Sequence, residues 1–139
     1  MDQKIAKKLN GHAIGMIIML VVEYVLGITT SLFVQFPENA KEVQLWEFSW
    51  SQIPLAAHII LGILMLAGAL VLIIRAVMIK DRRWIIFSSF GLLGILVAGG
   101  SGATFIPTQS DIYSYTMSLA FMVALISYGC GLYFSHLNL

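Results

Sequence analysis

Charge is what this chain has least of: among 139 residues there are eight Lys or Arg and seven Asp or Glu. Set beside 59% hydrophobic residues, so few charges cannot cover a water-soluble domain of this size, and the composition is that of an integral membrane protein. The net charge of +1 provides no electrostatic footprint for nucleic acid. With one cysteine, Cys130, an internal disulfide and a CxxC redox pair are both excluded. The HExxH, Walker A, GxSxG and repeated Cys/His signatures are absent too, so hydrolase, kinase and ATPase readings have no residues to rest on.

Long apolar runs are what the chain does have. Four of them, His12 to Val34, Pro54 to Val77, Trp84 to Ile106 and Ile112 to Phe134, match the ~20 residues that cross ~30 Å of hydrocarbon. None alternates in polarity as a barrel strand would. The connections MIKDRR and PTQSD are short, which makes successive helices antiparallel neighbours. The expected fold is therefore all-α: a polytopic, up-down-up-down bundle of four transmembrane helices forming one domain over residues 1–139. Lys4, Lys7, Lys8, Arg75, Lys80, Arg82 and Arg83 flank one side and only Lys41 the other, which predicts both termini in the cytoplasm and a multi-pass protein of the plasma membrane. The first run follows lysines as a signal peptide does. Its length and the lack of a small-residue cleavage site make it an uncleaved anchor.

The outer connection, Gln35 to Ile53, clusters Trp46, Phe48 and Trp50 beside charged residues. That composition predicts a short helix or hairpin at headgroup level, acting as an interfacial anchor or as a lid over an outer-leaflet pocket. Small residues mark the expected packing faces. In the first span Gly11, Gly15, Met19, Glu23, Gly27 and Ser31 form a four-residue row that turns Glu23 toward protein. Gly91, Gly94, Ala98 and Gly102 in the third span, and Met117, Ala120, Ala124 and Gly131 in the fourth, allow close backbone approach or leave room for a flat group.

Two sets of residues could carry chemistry. His58 and Met117 fall at similar depth near the outer ends of the second and fourth spans, in a layer with Gly27, Thr30 and the run Gly99 to Gly102. An imidazole, a thioether and a glycine wall, with Gly99 and Gly102 against the macrocycle, suit a haem held by His58 and Met117. A membrane histidine equally serves as a hydrogen-bond partner between helices, and methionine as a packing residue. The second candidate is Glu23, a carboxyl group near the middle of its span, where such groups mark functional sites or buried polar contacts. Counted from the span ends at 1.5 Å per residue, it lies about 10 Å deeper than His58, so contact is not expected. The residues at its own depth, Met65, Gly68, Ile95 and Val123, offer no partner, and Arg75 should snorkel to the cytoplasmic interface. Glu23 is then either a neutral group bonded to backbone or water, or a proton- or cation-handling one. His12 and His136 read as solvated histidines at the membrane edge. Tyr113, Tyr115, Tyr128 and Tyr133 read as aromatic belts, and Cys130 as a packing residue.

HIILG (His58 to Gly62), LLGILVAGGSG (Leu92 to Gly102) and YTMSLAFMVALISY (Tyr115 to Tyr128) together resemble one four-helix half of the haem A synthase family. The resemblance covers most of the chain, resting on topology and one histidine. It implies a haem pocket in the outer leaflet. The family's glutamate one turn before the histidine is Leu55 here, its fourth-helix histidine position holds Met117, and the outer loop has no cysteine pair, so haem A synthesis itself is not expected. The chain is also similar to other small four-span membrane proteins. Three functions follow as expectations: haem binding for electron transfer or haem handling, an accessory subunit whose small-residue faces bind the helices of other membrane subunits, and a proton-linked transporter using Glu23. Four short helices make a thin wall for a path, so the last would call for a homo-oligomer. The one certain partner in all three is the lipid bilayer.

Overall fold

The computed structural model describes residues 3–136, with side chains over residues 8–135. Five helices make up the fold: α1 Gln3–Phe33, α2 Glu42–Ser51, α3 Ile53–Met78, α4 Arg82–Thr108 and α5 Asp111–His136. All but α2 are long and apolar enough to cross a membrane, over Lys8–Phe33, Ile53–Met78, Arg82–Thr108 and Asp111–Ser135. The four long helices form a ring in which α1 packs on α3, α3 on α4, α4 on α5 and α5 back on α1, while among the described residues the diagonal pairs do not meet. The expected all-α bundle of four spans is thus present. The start of α1 and the end of α5 lie at one end of it, where Ser135 Oγ donates to Asn10 Oδ1 at 2.9 Å and Arg83 Nη1 to the Phe134 carbonyl at 3.4 Å. This basic end carries Lys8, Arg75, Lys80, Arg82 and Arg83; the opposite, loop end carries α2. The side chains of Lys4, Lys7 and His136 lie outside the described ones.

Local chemistry sets the helix boundaries. The Asp81 carboxylate accepts from the Arg83 and Trp84 backbone N–H groups at 3.0 and 3.1 Å, satisfying two otherwise orphaned donors at the start of α4. The Gln44 side chain accepts from the Lys41 N–H at 2.9 Å to start α2, and Pro54 in the first turn of α3 gives up no helical bond. Of the short helix or hairpin expected in the connection between the first two spans, α2 is the helix. It buries Leu45 and Ser49 against α3 and α4, and Phe36 links it to α4 through Phe48 (5.5 Å between ring centroids) and Phe105 (6.0 Å).

Packing along the ring follows an alternating three-and-four spacing. On α1 the inward row is Leu9, Ala13, Met16 and Leu20, each at most 1% exposed, and it continues through Glu23, Gly27 and Thr30. On α3 the matching row is Leu55, His58, Gly62, Met65, Ala69, Leu72 and Ala76. An average step of 3.5 residues keeps a row facing its neighbour, as in left-handed membrane bundles. This corrects the expected face of α1. A strict four-residue row drifts about 40° around the helix at every step, so Gly11 and Ser31 end exposed and a Cβ on Gly15 would meet nothing.

Gly91, Gly94 and Gly102 of α4 and Gly131 of α5 admit neighbours closely, as expected, whereas a Cβ on Gly99, Gly100 or Gly129 would meet nothing. A Cβ on Gly94 would stand 2.7 Å from the Ala120 carbonyl oxygen, so backbone lies almost against backbone there. Gly91 seats the ring of Tyr128, and Gly131 seats that of Trp84. Tyr128 is 0% exposed, which corrects its assignment to an aromatic belt. Tyr115 and Tyr133 are exposed. The space Gly91 leaves explains the difference: it admits a whole ring at an interface position.

Candidate functional site

The row on α1 and the row on α3 each carry one ionisable residue, Glu23 and His58, among Leu, Met, Ala, Gly and one Thr, and the two meet. Glu23 Oε1 lies 3.1 Å from His58 Nδ1, with side chains 13% and 25% exposed, respectively. Two glycines make the space. A Cβ on Gly62, one turn along α3 from His58, would stand 3.3 Å from Glu23 Oε1; a Cβ on Gly27, one turn along α1 from Glu23, would stand 3.4 Å from His58 Cε1. Each polar side chain therefore rests on the glycine one turn beyond the other residue. The helix rise makes their axial offset about 6 Å, which two long side chains bridge. The expectation that they are too far apart in depth to touch is overturned. Span ends had been treated as level, but α1 and α3 are staggered, and the carboxylate reaches across the remaining turn.

The pair is incompletely satisfied. Nδ1 and Oε1 are at ion-pair distance but not aligned as a hydrogen bond, and Glu23 Oε2 is buried with no partner. Thr30 Oγ1, on the same row toward the loop end, is likewise buried and unbonded. Its neighbour Thr29 instead donates back to the Val25 carbonyl at 2.8 Å, as helical hydroxyls commonly do. Buried polar groups normally find partners. Among the described residues three buried, unpaired atoms, Glu23 Oε2, His58 Nδ1 and Thr30 Oγ1, lie on this one seam, and two more, Trp84 Nε1 and the Tyr128 hydroxyl, lie between α4 and α5.

A second polar contact closes the basic end of this seam. Arg75 Nη1 stands 3.2 Å from His12 Nδ1. Since guanidinium only donates, Nδ1 accepts and the ring proton sits on Nε2. His12 is therefore engaged with Arg75, not simply solvated, a pairing the sequence reading missed. Between this contact and Glu23 the seam is apolar, filled by Met16, Leu20, Met65, Ala69 and Leu72.

The residues expected to hold a haem are not brought together. His58 turns toward α1. Met117 stands on α5, diagonal to α3, with its sulfur 3.1 Å from where a Cβ of Gly102 would be, so it packs on α4. Gly99 is exposed and faces no neighbour, so it does not line a wall opposite His58. No cluster of three or more His, Cys, Asp or Glu side chains suited to a metal ion occurs among the described residues. Gly62, the seat of the carboxylate, was also missed; the three-and-four spacing of Leu55, His58, Gly62 and Met65 was the signal that could have found it.

No known protein family, curated protein or solved structure matches this chain.

Proposed function

We propose that this is a small proton-linked transport protein of the plasma membrane, whose working group is the Glu23–His58 pair. The observation that carries this reading is the 3.1 Å approach of a carboxyl group to an imidazole at interior positions of adjacent spans. Such a pair holds one proton between two bases, as carboxylate with imidazolium or as carboxylic acid with neutral imidazole, and a second proton makes it cationic. Carboxyl and imidazole groups inside spans are the usual components of proton relays in pumps and transporters. The unpaired Oε2 leaves an acceptor for an arriving proton or water. Glycine seats on both sides allow the side chains to change partners without backbone movement.

Infrared difference spectroscopy of the purified protein in lipid tests this directly. A carboxyl C=O band that appears and disappears with pH, and that Glu23→Gln abolishes, is expected. A spectrum in which no band depends on Glu23 rejects the reading.

A specific observation also favours haem binding as a second reading. An imidazole that ligates a metal commonly has a carboxylate at its other nitrogen, and Glu23 at Nδ1 leaves His58 Nε2 for iron. The carboxylate comes here from α1, while the place where the haem A synthases carry theirs is Leu55. Met117 and Gly99 do not support a second ligand or a wall. Addition of hemin to the purified protein decides it: a Soret band lost in His58→Ala supports haem, and an unchanged free-hemin spectrum removes it.

A further inference from the structure

We infer that the Glu23–His58 pair exchanges its proton with the compartment at the loop end, through the hydroxyl of Thr30, and is sealed from the compartment at the basic end. This deepens the proton-linked reading and rests on it. Three buried, unpaired polar atoms succeed one another along the α1/α3 seam: Glu23 Oε2, His58 Nδ1 and Thr30 Oγ1. Their order follows from the register. Glu23 lies beside Gly62, His58 beside Gly27, and Thr30 three residues beyond Gly27, about 4.5 Å nearer the loop end. Only two residues of α1, Ser31 and Leu32, separate Thr30 from the helix end at Phe33. A hydroxyl both donates and accepts, so it passes a proton on without changing charge.

Toward the basic end the seam is closed. Leu20, Met16 and Ala13 on α1 are at most 1% exposed, and Met65, Ala69 and Leu72 on α3 at most 3%. Met16 fills the space left by Gly68, where a Cβ would stand 2.7 Å from its sulfur. From Glu23 to the next titratable group toward the basic end of α1, His12, is 11 residues, roughly 16 Å of apolar packing. The charged and titratable groups facing the pair are few. α3 presents His58, with Arg75 held at the far end by His12; α5, the other neighbour of α1, presents Phe121 against Tyr24. Proton exchange with the basic end requires a second conformation in which this plug opens.

The test uses the full-length protein in closed vesicles, sorted by orientation through a tag accessible at only one end, and follows the Glu23 carboxyl band after a pH jump outside. Vesicles with the loop end outward should respond at once, whereas those with the basic end outward should respond only as internal pH drifts. Thr30→Val should slow the loop-end response roughly fivefold, the rate equivalent of one lost hydrogen bond, while Thr30→Ser preserves it. Leu20→Gln should admit a response from the basic end. A Glu23 band that responds equally from both ends, or first from the basic end, overturns this inference while leaving the proton-binding pair intact. Absence of a Glu23 band in either orientation removes the pair itself.

Discussion

On the α4/α5 seam the spaces left by Gly91 and Gly131 are filled by the rings of Tyr128 and Trp84, and Gly94 brings two backbones together. On the α1/α3 seam the spaces left by Gly27 and Gly62 hold an imidazole and a carboxyl group instead. The same residue type makes a tight interface in one place and a polar chamber in the other, depending on what stands opposite. Hydrocarbon lipid gives helices no hydrophobic reason to associate, so close van der Waals fit has to hold them together. The α4/α5 seam supplies that fit. It leaves the α1/α3 seam free to carry groups that pack less well.

The sharpest way to break this comparison is to remove charge chemistry from one seam alone. Glu23→Gln keeps shape and should leave thermal stability in detergent nearly unchanged, while lowering proton-coupled flux into vesicles at least about a hundredfold, the scale of losing an acid–base group. Unaltered flux would falsify the role assigned to the pair. The second contrast is Gly94→Ala, which drives a methyl group into the Ala120 carbonyl and should cost about 2 kcal/mol by overpacking. A melting temperature equal to that of the unmodified protein would show that the α4/α5 backbones have room to part. Third, the Tyr128 hydroxyl is buried without a partner, so Tyr128→Phe should raise stability by about 1 kcal/mol through relief of an unmet hydrogen bond. A loss of stability instead would point to a bound water or partner at that hydroxyl. The smallest effect belongs to Gly27→Ala, whose Cβ would meet His58 Cε1 at ordinary contact distance. Its stability change should stay within about 0.5 kcal/mol, yet the infrared signature of the pair should shift because a methyl group then lies against the imidazole and limits its movement. An unshifted band would show that the glycine seat does not position His58.

Much of the architecture was legible because run length and small-residue spacing are properties of single segments. Of the face read as Gly91, Gly94, Ala98 and Gly102, the three glycines do receive Tyr128, the Ala120 and Ala124 backbone and Met117 from α5, and Gly131 receives Trp84 from α4. The site was legible only in part. Glu23 was picked out by the cost of a carboxyl group in hydrocarbon and His58 as a candidate haem ligand, but their meeting depends on the stagger between α1 and α3, which no single segment encodes. The four-residue row through Gly11 and Gly15 misled for a related reason: it tracks one helix surface, whereas an interface follows the slower rotation that two helices share. Tyr128 and His12 illustrate the remaining gap. Residue type placed both at membrane edges, while their surroundings, Gly91 and Arg75, come from other helices.

The connection after α1 has a consequence for how the molecule could be divided. α2 packs on α3 and α4 and not on α1, so residues 37–40, which lie outside any helix, join α1 to a remainder that is linked around α2 to α5 by short turns. Cutting the chain there yields two pieces, each with at least one helix long and apolar enough to cross a membrane, one bearing Glu23 and the other His58. Co-expression of the pieces should restore the pair by reassembly in the bilayer, so recovery of the carboxyl signal becomes a direct readout of association between one helix and the remaining three.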